Sequence, residues 1–155
     1  MINILVICTG NSCRSIIGEA LFNHFGQGRI QAFSAGSKAK GRVNSQAIAL
    51  LKRHGVDTEG LFSKSWDSLN TQRFDIMISV CDRAAGETCP SYLSSSLKVH
   101  WGIIEPSHVK GGDAAVFTAF EETYQVFRQR ITKMLALPLH EISTEDLQAE
   151  LNAIG

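Results

Sequence analysis

The sequence predicts an α/β fold, with a four-stranded parallel sheet at the centre of a three-layer α/β/α arrangement. Three observations predict it. Strand-length apolar runs alternate with segments of helical period. No internal repeat or low-complexity stretch interrupts the alternation. The 155 residues, 44% of them hydrophobic, suffice for one packed core. The elements follow in order. Ile2 to Ile7 is an apolar run broken only by Asn3 and reads as the first strand. Ser15 to Phe25 sets Ile16, Ile17, Ala20, Leu21 and the His24–Phe25 pair on one helical face, and Gly26-Gln27-Gly28 stops that helix. Ile30 to Phe33 is a second strand ending at Ser34-Ala35-Gly36. Asn44 caps a helix to His54, with Ala47, Ile48 and Leu51 inward and Gly55 as its stop. Phe74 to Val80 and Leu97 to Trp101 are the third and fourth strands. From Asp113 to Leu135 runs the longest helix, whose stripe of Phe117, Phe120, Tyr124, Phe127, Ile131 and Met134 reads as core. Pro138 ends it, and Ser143 or Thr144 caps a short helix, Glu145 to Ala153, in a C-terminal extension over 140–155. With no linker to divide the chain, residues 1–155 are expected to form one domain.

Fifteen Lys and Arg balance fifteen Asp and Glu. That balance argues against a nucleic-acid coat or a polybasic membrane binder. No apolar run approaches the ~20 residues that span a bilayer. The N-terminus lacks the basic start and small-residue cleavage site of a signal peptide, so a cytoplasmic location is expected. The cysteines are Cys8, Cys13, Cys81 and Cys89. A chain of this size does not need disulfide staples. With no Cys-x2-Cys pair and five scattered histidines, no metal and no cofactor are expected. What remains is thiol chemistry.

In open parallel sheets, ligand sites lie beyond the C-terminal ends of the strands. The first strand runs into Cys8, the third into Cys81-Asp82, and the fourth into Trp101 to Pro106, with Glu105 among them. If the first and third strands are neighbours, their ends lie roughly 5 Å apart, and two thiols and a carboxylate converge on one edge. The segment Cys8-Thr9-Gly10-Asn11-Ser12-Cys13-Arg14-Ser15 passes from strand to helix, so its backbone N–H groups can form a nest for a tetrahedral oxyanion. Gly10 and Asn11 tolerate the left-handed dihedrals such a loop needs. Arg14 offers a planar fork for two anion oxygens. The helix N-terminus, Arg14 and the Ser15 hydroxyl all favour a Cys8 thiolate, a nucleophile aimed at the bound anion. The plainer alternative is a small core cysteine behind a strand.

CTGNSCRS and the SAG at Ser34 to Gly36 resemble the anion loop and its neighbour in the low-molecular-weight protein tyrosine phosphatase superfamily. VCDRAAGETCP (Val80 to Pro90) and KVHWGIIEP (Lys98 to Pro106) resemble the thioredoxin-coupled arsenate reductases of that superfamily. The resemblance spans Met1 to about Leu139 and implies the superfamily's fold.

It also implies a mechanism. Thr9 to Ser15 bind arsenate, and Cys8 attacks it. Cys81 then attacks the Cys8 sulfur, arsenite departs, and a Cys8–Cys81 disulfide remains. Cys89 moves the disulfide to Cys81–Cys89, and thioredoxin reduces it. A straight helix would hold Cys81 and Cys89 about 12 Å apart at ~1.5 Å per residue. A disulfide needs Cα atoms within roughly 7 Å. The segment is therefore expected to bend when oxidised, with Ala84-Ala85-Gly86 yielding.

Two departures stand out. Glu105 occupies the place where the family usually has an Asp general acid, on an arm one methylene longer. Some related reductases bind potassium beside the loop using residues like Asn11 and Ser34; here the corresponding stretch reads Ser63-Lys64-Ser65, and Lys64 implies no potassium requirement. Among the other candidates, Cys13 is expected to pack away from the anion, His100 to be structural, Asp82 to cap locally, and Lys38, Lys40 and Arg42 to be solvated. Trp101 either lines the pocket or packs. Two other functions stay open: a tyrosine phosphatase using Cys8 and Arg14, and a non-catalytic redox sensor switched through Cys81 and Cys89.

Overall fold

The structure, a computed structural model, describes residues 1–155. Its strands are β1 (Ile2–Ile7), β2 (Ile30–Ala35), β3 (Ile76–Ser79) and β4 (Leu97–His100). They form one sheet in the order β2-β1-β3-β4, every pairing parallel. Between and after them run α1 (Arg14–Phe25), α2 (Ser45–Arg53), the single turn α3 (Asp82–Ala85), α4 (Asp113–Leu135) and α5 (Thr144–Ile154). Three 3₁₀ turns, Trp66–Leu69, Ser91–Leu93 and Pro106–His108, complete the regular structure. The α/β class, the four parallel strands and the four expected helices are as the sequence predicts; the single turn α3 is not among those expected.

β1 is one of the two inner strands, and its apolar run follows from that position. Ile4, Leu5, Val6 and Ile7 are all buried because both faces of the sheet are covered. α1 covers the Val6 face, with α4 against it: a Cβ at Gly18 would press on both Val6 and Phe127 at 3.0–3.1 Å. Sandwiched in this way, α1 is buried from Ser15 to Phe22 and carries almost no apolar asymmetry. Phe22 stacks on Trp101, whereas His24, expected inward, is exposed. The Leu5 face is covered by short elements and loops instead of a long helix. Phe74 meets Phe33 edge-on, Lys98 reaches the carbonyls of Leu93 and Ser96, and Cys89 touches Met77.

The caps follow the expected chemistry. Asn44 Oδ1 accepts from the Gln46 and Ala47 amides, and Ser143 Oγ from the Asp146 amide. In α2 the buried residues are Ala47, Leu50 and Leu51, with Ile48 only half-buried. Along α4 the apolar stripe is core from Phe120 to Met134, but Phe117 lies 51% exposed beneath the Arg53 guanidinium. It lies near the start of α4, against α2. Trp101 packs and lines no part of the anion cleft: it is fully buried, and its indole N–H donates to the Leu151 carbonyl at 2.9 Å, tying α5 to the end of β4.

Candidate active site

β1 and β3 are neighbours, with Ile7 opposite Ser79. Cys8 and Cys81 therefore leave adjacent strand ends, as the strand reading required. The turn after β1 is shaped from outside. Its carbonyls are drawn outward by an outer shell: Thr9 O accepts from the Lys38 amide, Gly10 O from Lys40, and Ser12 O from Asn44, at 2.8–3.0 Å. Asn11, the only non-glycine residue with positive φ (44°), is fully buried, and its Oδ1 accepts from the Lys64 amide. Gly36 lets the end of β2 lie against this turn. A Cβ there would collide with the Thr9 carbonyl oxygen and stand 2.8 Å from that of Cys8. With the carbonyls tied back, the five consecutive amides of Thr9 to Cys13 donate to no acceptor of the protein. A run of five unpartnered N–H groups ahead of a helix offers an oxyanion nest.

Cys8 lies at the mouth of this nest. Its Sγ is 2.9 Å from Ser15 Oγ, and Ser15 Oγ in turn accepts from Asn11 Nδ2 at 2.8 Å. With that lone pair occupied, the single Ser15 proton is free to point at the sulfur. Around them opens a cleft of about 360 Å³, lined by Cys8, Thr9, Gly10, Ser12, Cys13 and Arg14, and also by Cys81 and Glu105. Lys38, Lys40, Arg83 and His108 are on its wall too. Lys38 and Lys40 therefore face the anion cleft instead of open solvent alone. Their loop curls back over the turn through its own amides, a contact no local sequence signal announces.

Arg14 has two partners within the chain. Its Nε donates to Glu105 at 3.0 Å and one Nη to the Ile103 carbonyl at 2.8 Å. Glu105 also accepts from the Ser107 amide and hydroxyl. Burial pushes its carboxyl up, but the Ser107 bonds, Arg14 and Cys13 outweigh burial and hold it below the usual carboxylate range. Glu105 is thus an ionised partner of Arg14, not a poised acid, in this state. Cys13 is a buried thiol kept protonated, first by burial and then by the neighbouring Glu105. It lines the cleft together with Glu105, where the sequence placed it packed away from the anion.

Beneath the turn lies a cluster the sequence reading missed. Glu19 is buried, accepts from the Ser34 hydroxyl, and stands 3.5 Å from the Lys64 ammonium. Burial raises its carboxyl, and Lys64 and Ser34 offset this only in part. The available signal was a glutamate four residues after Ser15 on a helix otherwise apolar around it. A potassium ion does not fit beside an ammonium that already faces this carboxylate.

Cys81 is buried. Its Sγ accepts from the Ala84 amide at 3.4 Å and is 3.7 Å from Thr9 Oγ1. The cap of α3 is therefore the thiol of Cys81. Asp82, expected to cap, points outward to His100 Nε2 at 2.9 Å, and His100 Nδ1 is 3.0 Å from Ser79 Oγ. α3 ends after one turn at Gly86, so the chain between Cys81 and Cys89 is not one continuous helix. Cys89 is not brought into the anion cleft. It lines a separate cavity of about 600 Å³ with Met77, Lys98 and His100, and all four cysteines are free thiols.

The profile of the family described as low molecular weight phosphotyrosine protein phosphatase matches residues 3–151. An arsenate reductase of Halalkalibacterium halodurans is 34% identical over 126 residues, 81% of this chain and 84% of that one. A solved arsenate reductase in its phosphate-binding state superposes with a TM-score of 0.67 at 26% identity, over 86% of this chain and 98% of that one. The thioredoxin-dependent arsenate reductase of Corynebacterium glutamicum gives 0.61 at 25% identity, over 83% of this chain and 59% of that one.

Proposed function

The chain belongs to the low molecular weight phosphotyrosine protein phosphatase family, and on that premise we propose that it reduces arsenate to arsenite, with thioredoxin as the reductant. The observation that carries the reading is the placement of two free thiols, Cys8 and Cys81, in the one cleft that also holds the oxyanion nest. Hydrolysis of a phosphate ester needs only the first of them.

The anion enters with its oxygens on the Thr9 to Cys13 amides, and Arg14 turns from Glu105 to it. Cys8, facing the Ser15 hydroxyl, attacks arsenic, and an oxygen leaves as water. Glu105, released from Arg14, gains a proton and supplies it to that oxygen, filling the family's aspartate role. Cys81 then attacks the Cys8 sulfur. A Cys8–Cys81 disulfide forms, the sulfur–arsenic bond breaks, and its electron pair stays on arsenic as arsenite. Cys89 exchanges onto Cys81, and thioredoxin reduces the resulting Cys81–Cys89 disulfide.

The test couples arsenate to NADPH oxidation through thioredoxin and thioredoxin reductase, with hydrolysis of an aryl phosphate assayed in parallel. The wild type turns over arsenate, and Cys81→Ser reduces that rate to background. No arsenate turnover, with aryl phosphate hydrolysis surviving Cys81→Ser, would make the chain a phosphatase.

A further inference from the structure

Thr9 joins the two halves of the thiol chemistry through its hydroxyl. Thr9 Oγ1 stands 3.7 Å from Cys81 Sγ and 3.1 Å from Glu87 Oε1. Glu87 is the half-buried carboxylate just beyond α3, its amide turned back to the Ala84 carbonyl. A threonine hydroxyl has one proton, and an ionised carboxylate can only accept. The proton therefore goes from Thr9 to Glu87, and toward Cys81 the same oxygen can only accept. The result is a directed chain, from the Cys81 S–H to the Thr9 O–H to the Glu87 carboxylate. Moving each proton one place along leaves the heavy atoms where they are. Cys81 becomes a thiolate accepting from Thr9, and Glu87 a neutral acid donating to it.

We propose that Glu87 is the terminal proton acceptor for Cys81, acting through Thr9 when Cys81 attacks the Cys8 sulfur. The assignment rests on the reading of Cys81 as the second nucleophile. The step balances. The Cys81–Cys8 bond forms as the sulfur–arsenic bond breaks, and arsenic(V) keeps the electron pair and leaves as arsenic(III). The Cys81 proton passes to Thr9, the Thr9 proton to Glu87, and from there to solvent. Only the thiolate attacks a disulfide-type sulfur. Transfer concerted with the attack spares the protein a free thiolate beside a bound oxyanion. Glu87 acts through another residue and is a positioning residue in that sense.

The groups facing the relay across the cleft are the cations Arg14, Lys38, Lys40 and Arg83, with Cys8, Cys13, Glu105 and His108. Behind Glu87, the second cavity adds Cys89, Lys98 and His100. Since histidines titrate near neutrality, each series below is repeated in His100→Asn and His108→Asn, where the Glu87-dependent difference is expected to persist.

The test follows a single turnover without thioredoxin, quenching at intervals and reading the Cys8–Cys81 disulfide by mass spectrometry between about pH 6 and 9. General-base assistance contributes about 10²–10⁴-fold, so the Glu87→Gln rate falls at least tenfold near pH 6 and converges on the wild type near pH 9. The wild-type profile is flat by comparison, and Glu87→Asp recovers part of the low-pH rate. Thr9→Val combined with Glu87→Gln is no slower than Thr9→Val alone. A Glu87→Gln profile that matches the wild type, or lies below it by one factor at every pH, overturns the relay. A second series needs no arsenate: alkylation of Cys81 by iodoacetamide in Cys8→Ser/Cys89→Ser protein, with and without Glu87→Gln. It shows the same pH-dependent gap if the relay operates and none if it does not. A wild type inert toward arsenate would sink the proposed activity, while this series still decides the relay.

Discussion

Arg14 and Glu105 hold one another, and the proposed mechanism needs both elsewhere once an anion arrives. The guanidinium cannot keep its bond to the carboxylate and also present its fork to two oxygens. Anion binding therefore frees a carboxylate whose proton affinity had been held down, after burial, by Ser107 and Arg14. With the Arg14 charge drawn off and the anion's negative charge beside it, protonation of the carboxyl becomes easier, against the Ser107 bonds that remain. The expected outcome is net proton uptake when phosphate or arsenate binds at about pH 5.5, seen by calorimetry in buffers of different ionisation heat and absent in Glu105→Gln. Equal uptake in that variant would leave Glu105 outside the acid role. The sign for stability runs the other way. With its folded-state pKa depressed, Glu105 contributes stability above about pH 4.3, the unperturbed carboxyl value, and loses it as pH falls through the lower folded value.

At the scale of the element, the anion turn depends less on its own residues than on what pulls its carbonyls outward. Gly36 is the tightest of these contacts. Gly36→Ala drives a methyl group into two carbonyl oxygens; overpacking of this kind costs about 1–3 kcal/mol. Because it also moves Thr9, phosphate affinity drops at least tenfold, measurable by thermal unfolding with and without phosphate. Affinity equal to the wild type would mean that the turn holds its own shape. The turn itself was legible in the sequence because its chemistry is consecutive: Cys8, Asn11, Arg14 and Ser15 lie within eight residues. The supports of the turn were not legible, since Lys38, Lys40 and Lys64 reach it only through the folded path of their loops. α3 was hidden for a different reason. One helical turn has no period to detect, and its cap is a thiol, which no capping rule anticipates.

For the whole molecule, the four strands and α4 follow from apolar patterning, which is why they lie where the pattern places them, while the sequence leaves the strand order open beyond the conditional pairing of β1 with β3. The C-terminal helix is less obvious in its purpose. α5 closes the end of β4 largely through a buried indole: Trp101 donates to Leu151 and stacks on Phe22 of α1, while Gln148 adds a bond to the Lys98 carbonyl. Removing such a side chain from a core costs about 3–5 kcal/mol. Trp101→Ala should therefore lose that much in urea unfolding, with amide exchange in 144–154 rising first; unchanged exchange there would show α5 to be held by other contacts. The same molecule keeps Cys89 in a cavity apart from the anion cleft. If the proposed relay operates, small oxyanions and a protein-sized reductant queue at different doors, and phosphate filling the first would slow arsenate while leaving the way to the outer thiol open.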